Sequence, residues 1–576
     1  MGRWPVNWRL VIRRPNNLIY WLDERPPLPI LAVIGLQYVA VLSIPLLYAV
    51  VVATAAGASL DQEINLVSLG MIGSACGGLL QNKRRGPVGS GFLVIPGLSS
   101  VHMAGSLVAL RLGGMPMVWG LIISIGLLQS VASRFLRVLR SLLPAELAGL
   151  SVLLTGVTLG RFGIPDIIGG VPSDPLFHQR IVLGCVTLAA MVTCSVWGAR
   201  LRLFSAAIGI IGGYAASLAL GTAGSDMTQR LASAPWFRVP RFGVTGLAFS
   251  PSLLLPLLVG GAAATLSTIA CVTAVQKMND ADWRRQDLPS LAGGVLADGL
   301  GAILAALLGG VGQSASPAGV GLSASIQATS RTIAYAVALG FLLLSLFPKF
   351  AMLVVLMPQP VIGAALVFNS CALIINGIEI IASRLLDARK TFTLGIAFAA
   401  AVASPAIAAA AHGMPEWLVP ITGSPLLLGV AVALVLNPVL RIGIARRERL
   451  TISAEVLAHE AIERFVNECG ARWGARRDVI ERAGHVLAEV IDAIRDGELA
   501  AGDITLELGF NELQLRIRIV YAGPPLVITQ VRPTREQIIE SDGAMRLAGF
   551  LVARLASNAT SQAIGNLAEL RITIDH

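Results

Sequence analysis

Residues 86–100 (GPVGSGFLVIPGLSS) and 309–325 (GGVGQSASPAGVGLSAS) sit among long apolar segments, yet both are dense in Gly, Pro and Ser. Neither suits a continuous helix, because proline removes a donor and glycine is costly in a helix interior. Chain that leaves the helix exposes its N–H and C=O groups, and each serine adds a hydroxyl. Inside a bilayer such backbone is tolerated only where it lines a cavity or is buried in protein. The chemistry on offer is hydrogen bonding to a small solute at mid-membrane. Broken spans at matching positions in two halves are the mark of a secondary-transporter site.

The side chains that accompany these stretches are neutral and mostly small, with Phe92 an aromatic that reads either as ordinary packing or as a ring to stack on a ligand. The first carries Ser90, Gly91 and Phe92, and the second Ser316, Pro317, Ala318, Gly319 and Val320. A third apolar segment supplies Ser267, Thr268 and Cys271. One carboxylate, Asp298, lies within the apolar run GGVLADG. A buried ionisable group in a membrane is costly and usually functional. Asp298 therefore reads either as a site for a coupled proton or cation, or as a structural carboxylate that holds helices together.

Enzymatic chemistry has no foothold. The cysteines Cys76, Cys185, Cys194, Cys271, Cys371 and Cys469 form no CxxC pair, and the histidines are scattered without metal-ligand spacing. No catalytic residue, metal or cofactor is expected. Of the 576 residues 55% are hydrophobic and 14% charged, against about 25% charged in a soluble domain. With a mean hydropathy of +0.73 this is a polytopic membrane protein surrounded by lipid. The formal charge of +10 needs no nucleic-acid partner, because Arg and Lys collect on cytoplasmic loops.

The elements that must position these residues follow from apolar runs of roughly 20 residues. Spans are expected near 29–54, 64–81, 87–110, 115–133, 145–165, 181–199 and 203–222, then 250–275, 290–308, 310–329, 332–348, 350–372, 391–411 and 419–440. Each broken stretch is then the third span of a set of seven. Even-numbered loops hold Lys83, Arg84, Arg85, Arg134, Arg137, Arg140, Arg200, Arg202, Lys277, Arg284, Arg285, Arg331, Arg384, Arg389 and Lys390. Odd-numbered loops hold Arg111, Arg161, Arg180, Arg230, Arg238, Arg241 and Lys349. Fifteen against seven supports fourteen spans with both ends cytoplasmic. The basic lead-in, residues 1–28, has no cleavable signal pattern.

From 441 to 576 the chain is charged and amphipathic, with no span. Helical spacing covers 451–473, 478–496 and 545–556. Alternation marks strands at 504–510, 513–520 and 570–574, with a turn at Asn511-Glu512. This is a small cytoplasmic α/β domain.

The run from Ser267 through Ala297-Asp298-Gly299 to Ser330-Arg331 resembles the nucleobase–ascorbate transporter family, which includes bacterial uracil and xanthine permeases. Gly35-Leu36-Gln37-Tyr38 resembles the family's first-span Gln-His, and LLQNKRRGPVGSGF its third span. The resemblance implies fourteen spans in two inverted seven-span repeats, with a core domain facing a gate domain. Spans 3 and 10 would meet at mid-membrane as short extended stretches. It further implies coupled symport of a nucleobase-like heterocycle (purine/xanthine or uracil type) by elevator-like movement, a homodimer, and the bacterial inner membrane. In the family two acidic or amide side chains hold the base. Here their positions fall at Ser267 and Ala318, so the expected anchors are missing. The loss of a site carboxylate is worth ~1.5–3 kcal/mol. Gln37 is left with a packing or scaffolding role. The alternatives are a sensor that signals through its C-terminal domain, or a carrier of another small solute.

The C-terminal domain loosely resembles the histidine-kinase-like ATPase fold. Glu489 stands where that family has its Glu, Asp492 replaces an Asn, and Tyr521 replaces the Asp of an Asp-x-Gly. The resemblance therefore implies a degenerate domain with a regulatory role rather than a working ATPase.

Overall fold

The computed structural model describes residues 13–575 except 84–85, 140–141, 143, 169–175, 198–200, 202–203, 223–225, 284–285, 383–385, 411–417, 441–445, 454–458, 498, 501, 512–513 and 535–542. Arg84, Arg85, Arg140, Arg200, Arg202, Arg284, Arg285 and Arg384 of the charge count, and Glu512 of the expected turn, lie outside the described residues. The chain divides into two compact units, Met1–Leu440 and Arg441–His576.

The first unit is helical. Its helices are α1 (Leu28–Ser43), α2 (Leu47–Ala55), α3 (Leu60–Gln81), α4 (Ser100–Arg134), α5 (Ala145–Ile168), α6 (Phe177–Val196) and α7 (Ser205–Ala219), then α8 (Leu254–Asn279), α9 (Leu288–Leu307), α10 (Pro317–Ile326), α11 (Thr332–Ser345), α12 (Gln359–Ala382), α13 (Ala388–Val402) and α14 (Pro425–Leu440). Among the described residues eight helical stretches are long and apolar enough to cross a membrane. Two bent pairs bring the number to ten, with α11 turning by 86° into Pro348–Val355 and α13 by 62° into Ser404–Ala410.

Local sequence explains the breaks. Pro45 sits in a single 3-10 turn, Ile44–Leu46, that joins α1 to α2. Ser59 and Gln62 form a capping box that starts α3. In α4, Gly114 takes φ +67° just ahead of Pro116 and divides the helix into two arms. The apolar run near 350–372 holds a short helix and then, after Pro358, the long α12 (Gln359–Ala382), so the span lies later than its composition suggests.

Both Gly/Pro/Ser stretches leave the helix. Pro96–Leu98 (β1) pairs antiparallel with Gln313–Ala315 (β2), placing Pro96 opposite Ala315, Gly97 opposite Ser314 and Leu98 opposite Gln313. Ser99 N–H donates to Gly312 C=O at 3.1 Å and Ser316 N–H to Ile95 C=O at 3.3 Å, extending the pairing at both ends. Each strand runs directly into a helix, α4 or α10.

The helices pack in two groups. One contains α1, α3, α4, α8, α9 and α11, with α9 on α4, α11 on α3 and α8 on α4. The other contains α5, α6, α7, α12, α13 and α14. Its pairs repeat: α6 packs on α7 as α13 packs on α14, and α6 packs on α12 as α13 packs on α5. The second group is centred on α5 against α12. A Cβ on Gly377 would lie 2.7 Å from Leu153 Cα, one on Gly156 2.9 Å from Ser370 C=O, and one on Gly363 2.5 Å from Gly163 C=O. Small residues at seven-residue intervals on both helices thus bring the backbones together.

The second unit is an antiparallel sheet with helices. Its strands are β3 (Arg446–Ser453), β4 (Asp503–Phe510), β5 (Gln514–Ala522), β6 (Asn558–Ile564) and β7 (Leu567–Asp575), in the order β3-β4-β5-β7-β6. The helices are α15 (His459–Trp473), α16 (Arg477–Asp496) and α17 (Gly543–Leu555). Leu506 pairs with Ile519 and Leu508 with Ile517, giving one apolar face. The helix expected from 451 is a strand to Ser453, and its helical part is described from His459. Strand β6 was not expected at all.

Glu569 on β7 is buried and accepts from Arg571 at 2.8 Å, from Arg518, and from Gln562 Nε2 at 2.7 Å. Arg571 and then Arg518 hold its carboxyl at about 2. A depressed carboxyl stabilises the fold above the ordinary range and loses that contribution as pH falls through its folded value. Residues 441–576 expressed alone are expected to lose ellipticity steadily as pH falls below about 4 toward 2. Glu569→Gln should lower stability at pH 7 and flatten that acid limb; an unchanged limb contradicts the assignment.

Candidate functional site

Where β1 and β2 feed into their helices, the first turns of α4 and α10 face one cleft. Its walls include Leu98, Ser99, Ser100 and Val101 from the first stretch and Ser314, Ala315, Ser316, Pro317 and Ala318 from the second. Ser267 of α8, Tyr48 of α2 and Pro45 in the turn before it complete that side. The opposite wall comes from the second helix group, with Val152 and Thr155 of α5 and Asn369 and Leu373 of α12. The cleft therefore lies between the two groups. It measures about 40 Å³, room for a few waters rather than a ring.

Two helix N-termini aimed at one cleft present free N–H groups and partial positive charge. Ser99 Oγ accepts from Val101 N–H at 3.3 Å and caps α4. Ser316 makes no such cap, and Pro317 occupies the first position of α10, where a missing N–H costs nothing. Thr155 and Asn369 add a hydroxyl and an amide that can both donate and accept. Among the described lining residues none carries a charge at neutral pH. The arrangement suits carbonyl oxygens and ring N–H groups.

Asp298 of α9 is buried behind β2. Its Oδ2 accepts from Thr268 Oγ1 at 2.7 Å, Ser314 Oγ at 2.8 Å and Gln129 Nε2 at 3.0 Å, while Oδ1 accepts from Ala315 N–H at 2.8 Å. One carboxylate thus ties α4, α8 and α9 to the extended stretch.

Of the residues singled out in the sequence, Ser267, Ser316, Pro317 and Ala318 line the cleft. Thr268 turns to Asp298 instead. Cys271 Sγ donates to Ala315 C=O at 3.6 Å, within an apolar cluster that also holds Phe92 and Val320. Ser90 Oγ donates to Gln81 C=O at 3.2 Å, and Gly91 C=O accepts from Arg331 Nε at 2.6 Å. Those bonds fasten the first stretch to its neighbours, so Ser90, Gly91 and Phe92 stand behind the site rather than in it. Gly319 lies against Tyr38 and Leu42. Gln37 is buried on α1, next to Tyr38, whose hydroxyl shares a hydrogen bond with Ser323. Sequence reasoning passed over Tyr48, Thr155 and Asn369, and marked Ser99 and Ser100 only as part of the stretch 86–100. The available signal was Asn369, a lone amide in the apolar run AALVFNSCAL.

A family model described as "Permease family" matches residues 30–410. The xanthine permease XanP of Escherichia coli strain K12 is 28% identical over 441 residues, covering 73% of this chain and 94% of the relative. The uric acid permease PucK of Bacillus subtilis strain 168 is 25% identical over 423 residues, covering 71% and 94%. Among solved structures, the transmembrane domain of the cyanobacterial bicarbonate transporter BicA aligns with a TM-score of 0.43 at 15% identity, covering 72% of this chain and 98% of that one. The relatives are transporters by name, and none is an enzyme. With the family model spanning most of the membrane unit, the chain belongs to the permease family, that of the nucleobase–ascorbate transporters.

Proposed function

We propose that this protein carries an oxopurine such as xanthine or urate across the bacterial inner membrane, coupled to a proton or cation. The observation that carries this reading is the cleft itself. Two half-helix N-termini, Ser267, Thr155 and Asn369 converge there, between two groups of helices, in a chain whose relatives are named for xanthine and uric acid. The helix groups act as core (α1, α3, α4, α8, α9, α11) and gate (α5–α7, α12–α14). Admitting a ring requires the cleft to widen, and sliding the core along the gate does this without breaking either group. Fourteen spans in two inverted repeats agree with the repeated pairs in the gate and with β1 meeting β2. On that count both termini are cytoplasmic, and residues 441–576 form a regulatory domain of degenerate histidine-kinase-like type. In it Glu489 and Asp492 lie on α16, and the Tyr521 hydroxyl is spent on Pro524 C=O and Leu526 N–H. Assembly as a homodimer follows from the family resemblance.

Uptake of labelled xanthine, urate and uracil by cells expressing the chain tests the reading. Xanthine or urate should accumulate, and a protonophore should abolish the accumulation. Asn369→Ala should raise KM about tenfold, the loss of one hydrogen-bonding side chain at about 1.4 kcal/mol. If none of the three bases accumulates, the transport reading gives way to a sensor that signals through the C-terminal unit.

A further inference from the structure

A second cavity lies beside the cleft, and it is the roomier of the two, at about 240 Å³. The two share Tyr48. The other walls of the second cavity come from further turns of helices that also line the cleft. Along α5, Val152 and Thr155 face the cleft, and Leu159, Phe162 and Asp166 face the second cavity. These five positions recur at intervals of three and four, which is one continuous helix face. On α12, Asn369 and Leu373 face the cleft and Leu366 the second cavity. The cavity is therefore the next stage of the same path, toward the C-terminal end of α5.

Its walls differ in chemistry from the cleft. Arg161 and Asp166 bring a cation and a carboxylate, and Phe162 brings an aromatic face. Arg161 was expected in a loop, but α5 continues through it to Ile168. One of its terminal nitrogens donates to Ser404 Oγ at 3.1 Å and Gly423 C=O at 3.2 Å. A guanidinium has five N–H donors, so the rest remain available. Asp166 accepts no hydrogen bond from the described residues. A carboxylate that accepts, a guanidinium that donates and a ring that stacks are the three contacts for a lactam edge, where a ring N–H stands beside a carbonyl.

We propose that this cavity is an entry subsite that binds an oxopurine before it reaches the cleft, with Asp166 accepting from a ring N–H, Arg161 donating to the adjoining carbonyl and Phe162 packing on the ring. The proposal rests on the transport reading above. It assigns to Asp166 the acidic contact that Ser267 and Ala318 do not supply in the cleft.

Equilibrium binding of radiolabelled xanthine to the purified full-length protein tests it. Asp166→Asn should weaken binding about tenfold or more with the melting temperature preserved, and Asp166→Glu should restore most of the loss. Phe162→Ala should weaken binding about fivefold, and it carries the test should Asp166→Asn not fold. Binding by Phe162→Ala, and by any folded Asp166→Asn, within twofold of the unaltered protein overturns the subsite and leaves the transport reading standing. Failure of the unaltered protein to bind xanthine or urate overturns both.

Discussion

Asp298→Ala is expected to abolish uptake and to lower the thermal midpoint of the membrane unit more than any other single change at the site. The carboxylate accepts from Thr268, Ser314, Gln129 and the Ala315 amide, and it is 2% exposed. Alanine leaves those donors facing a void. Leaving a buried neutral donor unpaired costs about 1–3 kcal/mol for each group that finds no new acceptor. Part is recoverable, because Thr268 Oγ1 also lies 3.0 Å from Ala264 C=O and can donate its single proton there instead. The Ala315 amide has no such refuge, and β2 depends on it. Asp298→Asn separates structure from coupling. Its amide oxygen can keep the Ala315 bond, and Gln129 can turn its carbonyl toward the new N–H. That variant should fold with a loss of about 1 kcal/mol. If it folds and still accumulates xanthine against a gradient, Asp298 is purely structural; if it folds and only exchanges xanthine, the carboxylate carries the coupled ion. An Asp298→Ala protein that melts with the unaltered one removes the hub from the account.

The breaks in the spans were legible because their cause is local. Gly and Pro forbid the helix at 86–99 and 309–316 whatever surrounds them. What the stretches do after leaving the helix is a tertiary matter, and no residue in either announces a three-residue pairing with the other. The 350–382 region shows the limit of composition. It is predominantly apolar, and only Pro348, Pro358 and Pro360 record that a short helix precedes the long one. The last three residues of β3, 451–453, were read as the start of a helix because Ile452 suits either period when the run is short. The strand's identity comes from pairing with β4, which lies fifty residues away.

The site was half legible. Residues 86–100 were marked as a whole, but only their last turn, Leu98–Ser100, reaches the cleft. A serine in an irregular stretch carries no label for the side it faces. Ser90 faces Gln81, and Ser99 faces the cleft. Thr155 and Asn369 were missed for the opposite reason, since they lie on regular helices whose composition gives no warning. Their role comes from the seam between α5 and α12, where Gly156 adjoins Thr155 and Ser370 adjoins Asn369.

That seam gives the second large effect. Gly377→Ala is expected to destabilise the membrane unit by about 1–3 kcal/mol and to impair uptake, although alanine is the better helix former. The added Cβ would lie 2.5 Å from Leu153 N, 2.6 Å from its Cβ and 2.7 Å from its Cα. Two of those atoms are backbone, so no rotamer change relieves the contact and the helices must part. Parting them shifts Thr155 and Asn369, which share one wall of the cleft, relative to each other, so KM should rise together with the loss of stability. Gly377→Leu should prevent accumulation of folded protein. Gly395→Ala on α13 is the control, because its Cβ meets nothing within 4 Å. There the gain in helix propensity should stand alone, leaving stability equal to or slightly above the unaltered protein. Thermal unfolding followed by size-exclusion fluorescence, with uptake measured on the same variants, distinguishes the two sites. A Gly377→Ala protein as stable as Gly395→Ala means that the two helices can slide apart freely, and the gate is then no rigid surface for the core to move against.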